Sequence, residues 1–334
     1  LNKLKVGVVG LGGIGTISLK YYLQNPLVEV AAICDVREER VKELCDTMNI
    51  AKGYTHVEDM LRLCPELDMV SIHNVDSAHV STTLSALNAG KHVFVEKPMG
   101  LNIDECHQVA SLARHAGKKV AVGQVVRFRN YVKTVKELIS LGTLGTIYNI
   151  EIEYMTDQMR FPGMSDRAKQ SYSPGVVTLG VHAIDTVRWL VGEIVEVKAV
   201  SNKGLSDPEC GFDDMTLAIF RFDNDCVGRL STCWSSVGEN DPYMGLRVFG
   251  SKGTVIGNRL MLQGVRGSMT LPEVTDNIDI LKQELESVVD SIIHDKPLFC
   301  DAADGGNTAI VCLSILDAVR TNTNVRVNNI IRLA

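Results

Sequence analysis

Along the first third of the chain, short apolar runs alternate with segments whose apolar positions recur every three to four residues. The runs at Lys5–Val9, Val28–Cys34, Met69–Ile72, His92–Val95 and Val120–Gln124 predict strands. The segments between them predict helices over Ile14–Leu23, Arg37–Met48, Val57–Leu63, His79–Ala89 and Ile103–Ala116. The last of these stops at Gly117, a residue suited to a left-handed helix cap. Strands alternating with helices build parallel β-α-β units. Strands that are nearly continuous apolar runs expect helices on both faces of the sheet.

Beyond Gln124 the pattern changes. A helix is expected over Tyr131–Leu141, then a strand over Ile147–Tyr154. In that strand Tyr148, Ile150, Ile152 and Tyr154 alternate with Asn149, Glu151 and Glu153, imperfectly because Ile147 falls in the polar set. A polar loop over 156–174 precedes a helix over Val176–Leu190. Strand-like stretches follow at Ile194–Val200, Met215–Phe222, Cys226–Cys233, Tyr243–Phe249 and Gly253–Ile256, spaced by Gly, Asn, Asp and Pro. Two helices, Ile278–His294 and Asn307–Thr321, close the chain. Strands with little helix between them predict an open, mainly antiparallel sheet. The fold class is therefore α/β, a doubly wound parallel sheet over 1–124 followed by an α+β domain over 125–334. The tail helices are expected to pack back across the domains.

A length of 334 residues fits two domains of roughly 150 each. The formal net charge of -6 argues against a broad nucleic-acid surface and offers no polybasic membrane patch. No apolar run is read as reaching the ~18 residues of a membrane span. Leu1–Lys5 runs straight into the first strand pattern, so no leader is expected. The nine cysteines are scattered, odd in number and without a C-x-x-C pair. They read as reduced, buried thiols of a cytoplasmic protein, with neither a disulfide framework nor a metal site.

Gly10-Leu11-Gly12-Gly13-Ile14-Gly15 ends the first strand and opens the first helix, the context that gives G-x-G-x-x-G its meaning. Glycines there let backbone approach a pyrophosphate, and the helix N-terminus offers free N–H groups. Asp35 ends the second strand, 20 residues after Gly15. An acid at that place accepts hydrogen bonds from an adenosine ribose. These features predict a Rossmann domain holding a nicotinamide dinucleotide. Asp35 would repel a 2′-phosphate, while Arg37 and Arg40 could offset it, so NAD is favoured and NADP kept as the alternative. The expected cofactor contacts are Gly10, Gly12, Gly13, Ile14, Gly15, Asp35, Arg40, Asn74, His79, Glu96 and Lys97. Lys97 falls at the carboxyl end of the strand over His92–Val95, where ligands of open α/β sheets bind. Its ammonium can stabilise negative charge on a substrate oxygen.

At Ala89-Gly90-Lys91-His92-Val93-Phe94-Val95-Glu96-Lys97-Pro98 the chain resembles the Gfo/Idh/MocA oxidoreductases, among them glucose–fructose oxidoreductase and inositol dehydrogenase. Gly142-Thr143-Leu144-Gly145-Thr146-Ile147 and Leu179-Gly180-Val181-His182-Ala183-Ile184-Asp185, leading to Trp189-Leu190-Val191-Gly192, carry the resemblance onward. It implies oxidation of a sugar, cyclic polyol or sugar derivative in a cleft between the domains. It also implies a homodimer or homotetramer assembled through the open sheet. Lys97 and His182 match the family's catalytic lysine and histidine. A histidine titrates near neutrality and can take the hydroxyl proton. Where the family commonly carries an acid four residues earlier, this chain has Thr178: either the Thr178 hydroxyl serves in its place, or Asp185, on the same helical face as His182, does so, or the chemistry is weaker or different. The family's Thr-Pro after the preceding strand is Asn74-Val75 here. Arg127, Asp157, Arg160, Arg167 and Tyr172 are candidate substrate contacts. Two alternatives stand beside the dehydrogenase: a dinucleotide-binding regulator without turnover, favoured by Thr178, and glycoside cleavage through transient oxidation.

Overall fold

A computed structural model describes residues 3–158, 175–204, 211–236, 243–271, 277–328 and 330–332. The chain divides into two compact units, one formed by residues 1–125, 276–307 and 331–334, the other by 126–275 and 308–330.

In the first unit, strands β1 (Leu4–Val9), β2 (Val28–Cys34), β3 (Gly53–Tyr54), β4 (Met69–Ile72), β5 (His92–Glu96) and β6 (Val120–Gly123) form a six-stranded sheet. Their order is β3-β2-β1-β4-β5-β6 and every pairing is parallel. Helices α1 (Gly13–Gln24), α2 (Glu38–Met48), α3 (Val57–Leu63), α4 (His79–Asn88) and α5 (Ile103–Ala116) connect successive strands. The order reverses between β1 and β4, the switch point at which such sheets open a crevice for a ligand. Only the two-residue β3 escapes the sequence pattern, being too short to show a period. Gly117 takes the left-handed cap, with φ 62°.

In the second unit, α6 (Asn130–Ser140) leads to a nine-stranded sheet. It comprises β7 (Ile147–Met155), β8 (Ile194–Asn202), β9 (Met215–Phe222), β10 (Val227–Cys233), β11 (Tyr243–Gly250), β12 (Gly253–Ile256), β13 (Arg259–Leu262), β14 (Met269–Thr270) and β15 (Val325–Arg326). The order is β14-β13-β12-β11-β7-β10-β9-β8-β15. Only β7 and β10 pair in parallel. Along β9, Ala218, Phe220 and Phe222 point into the core, whereas Leu217 and Ile219 face outward. The helix expected over Val176–Leu190 is two helices, α7 (Gly175–Thr178) and α8 (Gly180–Val191), interrupted at Leu179. The break lets Gly180 approach Val176 and Thr232 so closely that a Cβ would sit 3.1 and 3.3 Å from their methyls. Nearly every side of α8 is buried, and it packs on β7 and β10.

The tail departs from the sequence expectation in two ways. Helix α9 (Asn277–Ile293) places Leu281, Leu285, Val288 and Val289 in the core that holds Leu19 and Tyr22 of α1. Residues 276–307 therefore belong to the first unit, not to a second domain running over 125–334. Helix α10 (Ala302–Thr321) is long and apolar enough, by length and composition, to cross a membrane, against the expectation that no segment was. Its most apolar window is 72% buried inside the protein, the mark of a core helix.

Candidate active site

The glycine turn is shaped by close approach. Gly10 has φ 86°, and a Cβ there would lie 2.4 Å from the backbone of His73 and Asn74. A Cβ on Gly15 would lie 1.8 Å from the Gly10 carbonyl oxygen. Both positions thus require glycine to seat α1 against β1 and β4. At Gly12 and Gly13 the reverse holds: a Cβ would meet nothing within 4 Å. These two line open space, together with Leu11, Thr16, Ile17, Arg37 and Arg40, in a pocket of about 450 Å³. No side chain caps α1 and no acid sits in its first turn. Its N-terminal N–H groups and dipole are left for an anion. The cradle fits a dinucleotide pyrophosphate. Ile14 is exposed on the first turn beside it.

Asp35 is buried at the end of β2 and accepts from four donors. Oδ2 takes the Leu11 N–H at 2.7 Å and Arg37 Nη2 at 3.0 Å. Oδ1 takes the Arg37 N–H at 3.0 Å and Arg37 Nε at 2.9 Å. Burial works against its charge, but Arg37 and the Leu11 N–H outweigh it and hold the carboxyl below its usual range. Arg40 ties the turn down, donating to the Leu11 carbonyl and Thr16 and pairing with Glu43.

The loop after β4 and the turn after β5 are stitched together by a histidine. Asn74 donates to Thr82 at 2.9 Å, and its Oδ1 is buried without a partner. His79, 1% exposed, sets Nδ1 2.8 Å from the Pro98 carbonyl and Nε2 3.2 Å from the Asn74 carbonyl. Burial pushes its pKa down, against those two acceptors. Backbone carbonyls face both ring nitrogens, only one of which carries a proton on a neutral ring, so His79 ties one of the two loops down and lies against the other. Lys97 follows β5, partly exposed, and its peptide bond to Pro98 is cis. Glu96 Oε2 accepts the Lys97 N–H at 3.3 Å, and its Oε1 faces His73 Nδ1 at 3.7 Å. Burial disfavours its charge, yet His73, Lys97 and His79 together keep the carboxyl below its ordinary value.

In the second unit, His182 lies on α8, 8% exposed, with its ring 5.6 Å from that of Tyr154 on β7. Thr178 is buried at the end of α7, across the break from His182. Asp185 pairs with Arg127. Its carboxylate takes a bidentate fork from Arg127, at 2.8 and 2.7 Å, and a third donor from Thr308 at 3.2 Å. Arg127, expected to meet substrate, is 3% exposed and stacks over Trp189. The two charges satisfy each other inside the unit, which corrects both assignments. Asp157 follows β7 and bridges to Ser235. Arg160, Arg167 and Tyr172 lie outside the described residues. Sequence reasoning passed over His73 and Tyr154. A polar residue closing an apolar strand, and an aromatic on the inward face of β7, were the available signals.

With this geometry in place, likeness to known proteins is informative. Residues 4–124 match the model of the oxidoreductase family with an NAD-binding Rossmann fold (GFO/IDH/MocA). Residues 132–256 match the GFO/IDH/MocA C-terminal domain. The chain belongs to this family. It is an NAD-binding oxidoreductase by that membership. It is 25% identical to myo-inositol 2-dehydrogenase of Thermotoga maritima, over 98% of this chain and 100% of that one. Two solved structures share its fold. Scyllo-inositol dehydrogenase of Lactobacillus casei, with NAD(H) and scyllo-inositol, is 22% identical with a TM-score of 0.84, covering 98% of this chain and 99% of the other. Levoglucosan dehydrogenase with NADH and levoglucosan is 20% identical with a TM-score of 0.89, covering 98% and 100%.

Proposed function

We propose that this oxidoreductase is an NAD-dependent dehydrogenase of a secondary alcohol on a cyclic polyol of the inositol type. One observation carries the substrate class: the chain aligns over nearly its whole length with a myo-inositol 2-dehydrogenase. When bound, the dinucleotide supplies the two-electron hydride acceptor. The chain's residues manage the proton and the oxygen. Lys97 donates a hydrogen bond to the reacting oxygen and stabilises the charge that develops there. His182 takes the hydroxyl proton as the carbonyl forms. Thr178 offers a hydroxyl where relatives commonly offer an acid. Asp157, Arg160 and Tyr172 are assigned to the substrate's other hydroxyls.

The test is near-ultraviolet absorbance of the reduced cofactor across inositols, hexoses, pentoses and sugar acids, with NAD and with NADP. Turnover confined to cyclic polyols supports the reading. Turnover confined to open-chain sugars or sugar acids overturns the substrate class. A second reading, a dinucleotide-binding regulator, is favoured by the commitment of Asp185 to Arg127, which removes a carboxylate expected to serve His182. Tight NADH binding with no turnover on the panel would select it. The assembly we assign is a homodimer or homotetramer through the outward face of the large sheet, where Val200, Leu217, Ile219 and Val227 are exposed. Sedimentation of wild type against Ile219→Lys checks it.

A further inference from the structure

The four donors on Asp35 are of two kinds. One on each oxygen is backbone, fixed by the fold: the Leu11 N–H on Oδ2 and the Arg37 N–H on Oδ1. The other on each oxygen comes from the Arg37 guanidinium, Nη2 on Oδ2 at 3.0 Å and Nε on Oδ1 at 2.9 Å. A carboxylate offers about four lone-pair sites, so the fork completes the set on Asp35. The Asp35 side chain is 7% exposed, whereas that of Arg37 is 59% exposed. A buried acid is thus covered by a guanidinium that stands largely in water. An ion pair with so exposed a partner is weak and readily exchanged. Arg37 also lines the pocket of the glycine turn, with Gly12, Gly13 and Arg40. Among the described residues no side chain caps α2, which begins at Glu38, one residue beyond the fork.

We propose that Arg37 is a specificity-determining residue for the cofactor: its fork occupies the carboxylate positions that an adenosine ribose would take, and its charge admits a 2′-phosphate there, so the chain binds NADP(H) beside NAD(H). The inference rests on the reading of Asp35 as the ribose acceptor. The two O–H donors of a ribose diol match the two N–H donors of the fork. For NAD, Asp35 exchanges the Arg37 fork for the diol and keeps both backbone donors. For NADP, the 2′-phosphate brings negative charge and removes one diol donor, and a bare Asp35 would repel it. Arg37 neutralises that acid, and a guanidinium with five N–H donors can bridge carboxylate and phosphate. Arg40 is engaged elsewhere, on the Leu11 carbonyl, Thr16 and Glu43, so the discrimination falls to Arg37. Glu38 and Glu39 open α2 as exposed acids, and they oppose a phosphate only through water and salt, which screen them.

The experiment reads binding, so it needs no known substrate. The full chain is titrated with NADH and with NADPH, followed by nicotinamide fluorescence, in wild type, Arg37→Ala and Arg37→Lys. The two wild-type dissociation constants should lie within about thirtyfold of each other. In Arg37→Ala they should move in opposite directions. NADH should tighten by about threefold, because the diol no longer displaces a weak ion pair. NADPH should weaken by about tenfold, because a charge-assisted contact to its phosphate is lost. Arg37→Lys keeps the charge without the fork, so it should tighten NADH as the alanine does and hold NADPH within about threefold of wild type. If Arg37→Ala does not fold, Arg37→Lys carries the comparison. An Arg37 that merely supports the fold would weaken both cofactors together. That result, shifts below about twofold in both variants, or a wild-type gap wider than about thirtyfold overturns the proposal. A wild type that binds both cofactors and is silent on every polyol would sink the substrate reading and leave this one standing.

Discussion

Arg127 and Asp185 meet through two parallel hydrogen bonds of 2.8 and 2.7 Å, with side chains 3% and 1% exposed. An ion pair so deeply buried is repaid by geometry, not by Coulomb attraction alone. The Thr308 hydroxyl also donates to Asp185, and the Arg127 guanidinium lies over the Trp189 ring. Removing one partner strands the other. Asp185→Asn and Arg127→Met should each lower unfolding free energy by about 3–5 kcal/mol. The double variant Arg127→Met/Asp185→Leu should recover much of the loss. Denaturant titration measures all three. Single variants that keep full stability and raise only KM would return Arg127 to the substrate.

The glycine turn separates folding from binding within six residues. Gly15 has no room for a methyl, since a Cβ would lie 1.8 Å from backbone oxygen. Gly12 has nothing within 4 Å. Gly15→Ala should therefore lower the melting temperature sharply. Gly12→Ala should leave it unchanged, and should weaken NADH binding at least tenfold by filling the anion cradle. Calorimetry and NADH fluorescence titration distinguish the two. An unaltered NADH affinity in Gly12→Ala would mean the cofactor does not lie over that residue.

Much of this was legible in the residues. The alternation of apolar runs with helical periods marks the parallel sheet, because a doubly covered strand admits few polar positions. The glycine turn was legible because backbone approach leaves no chemical substitute for glycine. Side-chain partnership was not. Asp185 stands three residues from His182 on one helix, yet its charge goes to Arg127, 58 positions away in sequence. Nothing local announces such a pairing. His79 shows the same limit: its place in the chain suggested a ligand contact, and only the fold reveals two backbone carbonyls at its ring. The return of the tail helices was legible too, and only the boundary was not: a domain drawn over 125–334 leaves out that residues 276–307 join the first unit.

The buried thiols make stability fall on the alkaline side. Burial pushes Cys34 and Cys106 up to about 12, with nearby carboxylates adding to it, and burial pushes Cys226 up to about 11. In the unfolded chain a thiol titrates near 8.5. Between those values the unfolded chain has lost a proton that the folded chain still holds. Unfolding is then favoured as pH rises. Below about pH 8 these thiols are protonated in both states and add no pH dependence. Above about pH 9 stability should fall by about 1.4 kcal/mol per pH unit for each such thiol. Urea titrations at several pH values measure the slope, and Cys106→Ala should make it shallower. A flat profile up to pH 10.5 would show that these thiols ionise in place.

The division of labour between Lys97 and His182 is open to a kinetic test that keeps the cofactor in view. Lys97 follows β5 in the first unit, whereas His182 belongs to the other unit, on α8 against Tyr154. If His182 takes the proton, His182→Ala should lower kcat by about 10²- to 10⁴-fold, the usual worth of a positioned general base. NADH affinity should stay within threefold, because the glycine cradle is untouched. Raising the pH should restore part of the lost rate, since hydroxide can then take the proton. Lys97→Met should lose a comparable factor without that alkaline recovery, because it removes a donor to the reacting oxygen and not a base. Steady-state kinetics from pH 6 to 10 on the polyol that turns over best, beside NADH titrations of each variant, read both effects. Alkaline recovery in Lys97→Met and none in His182→Ala would exchange the two roles.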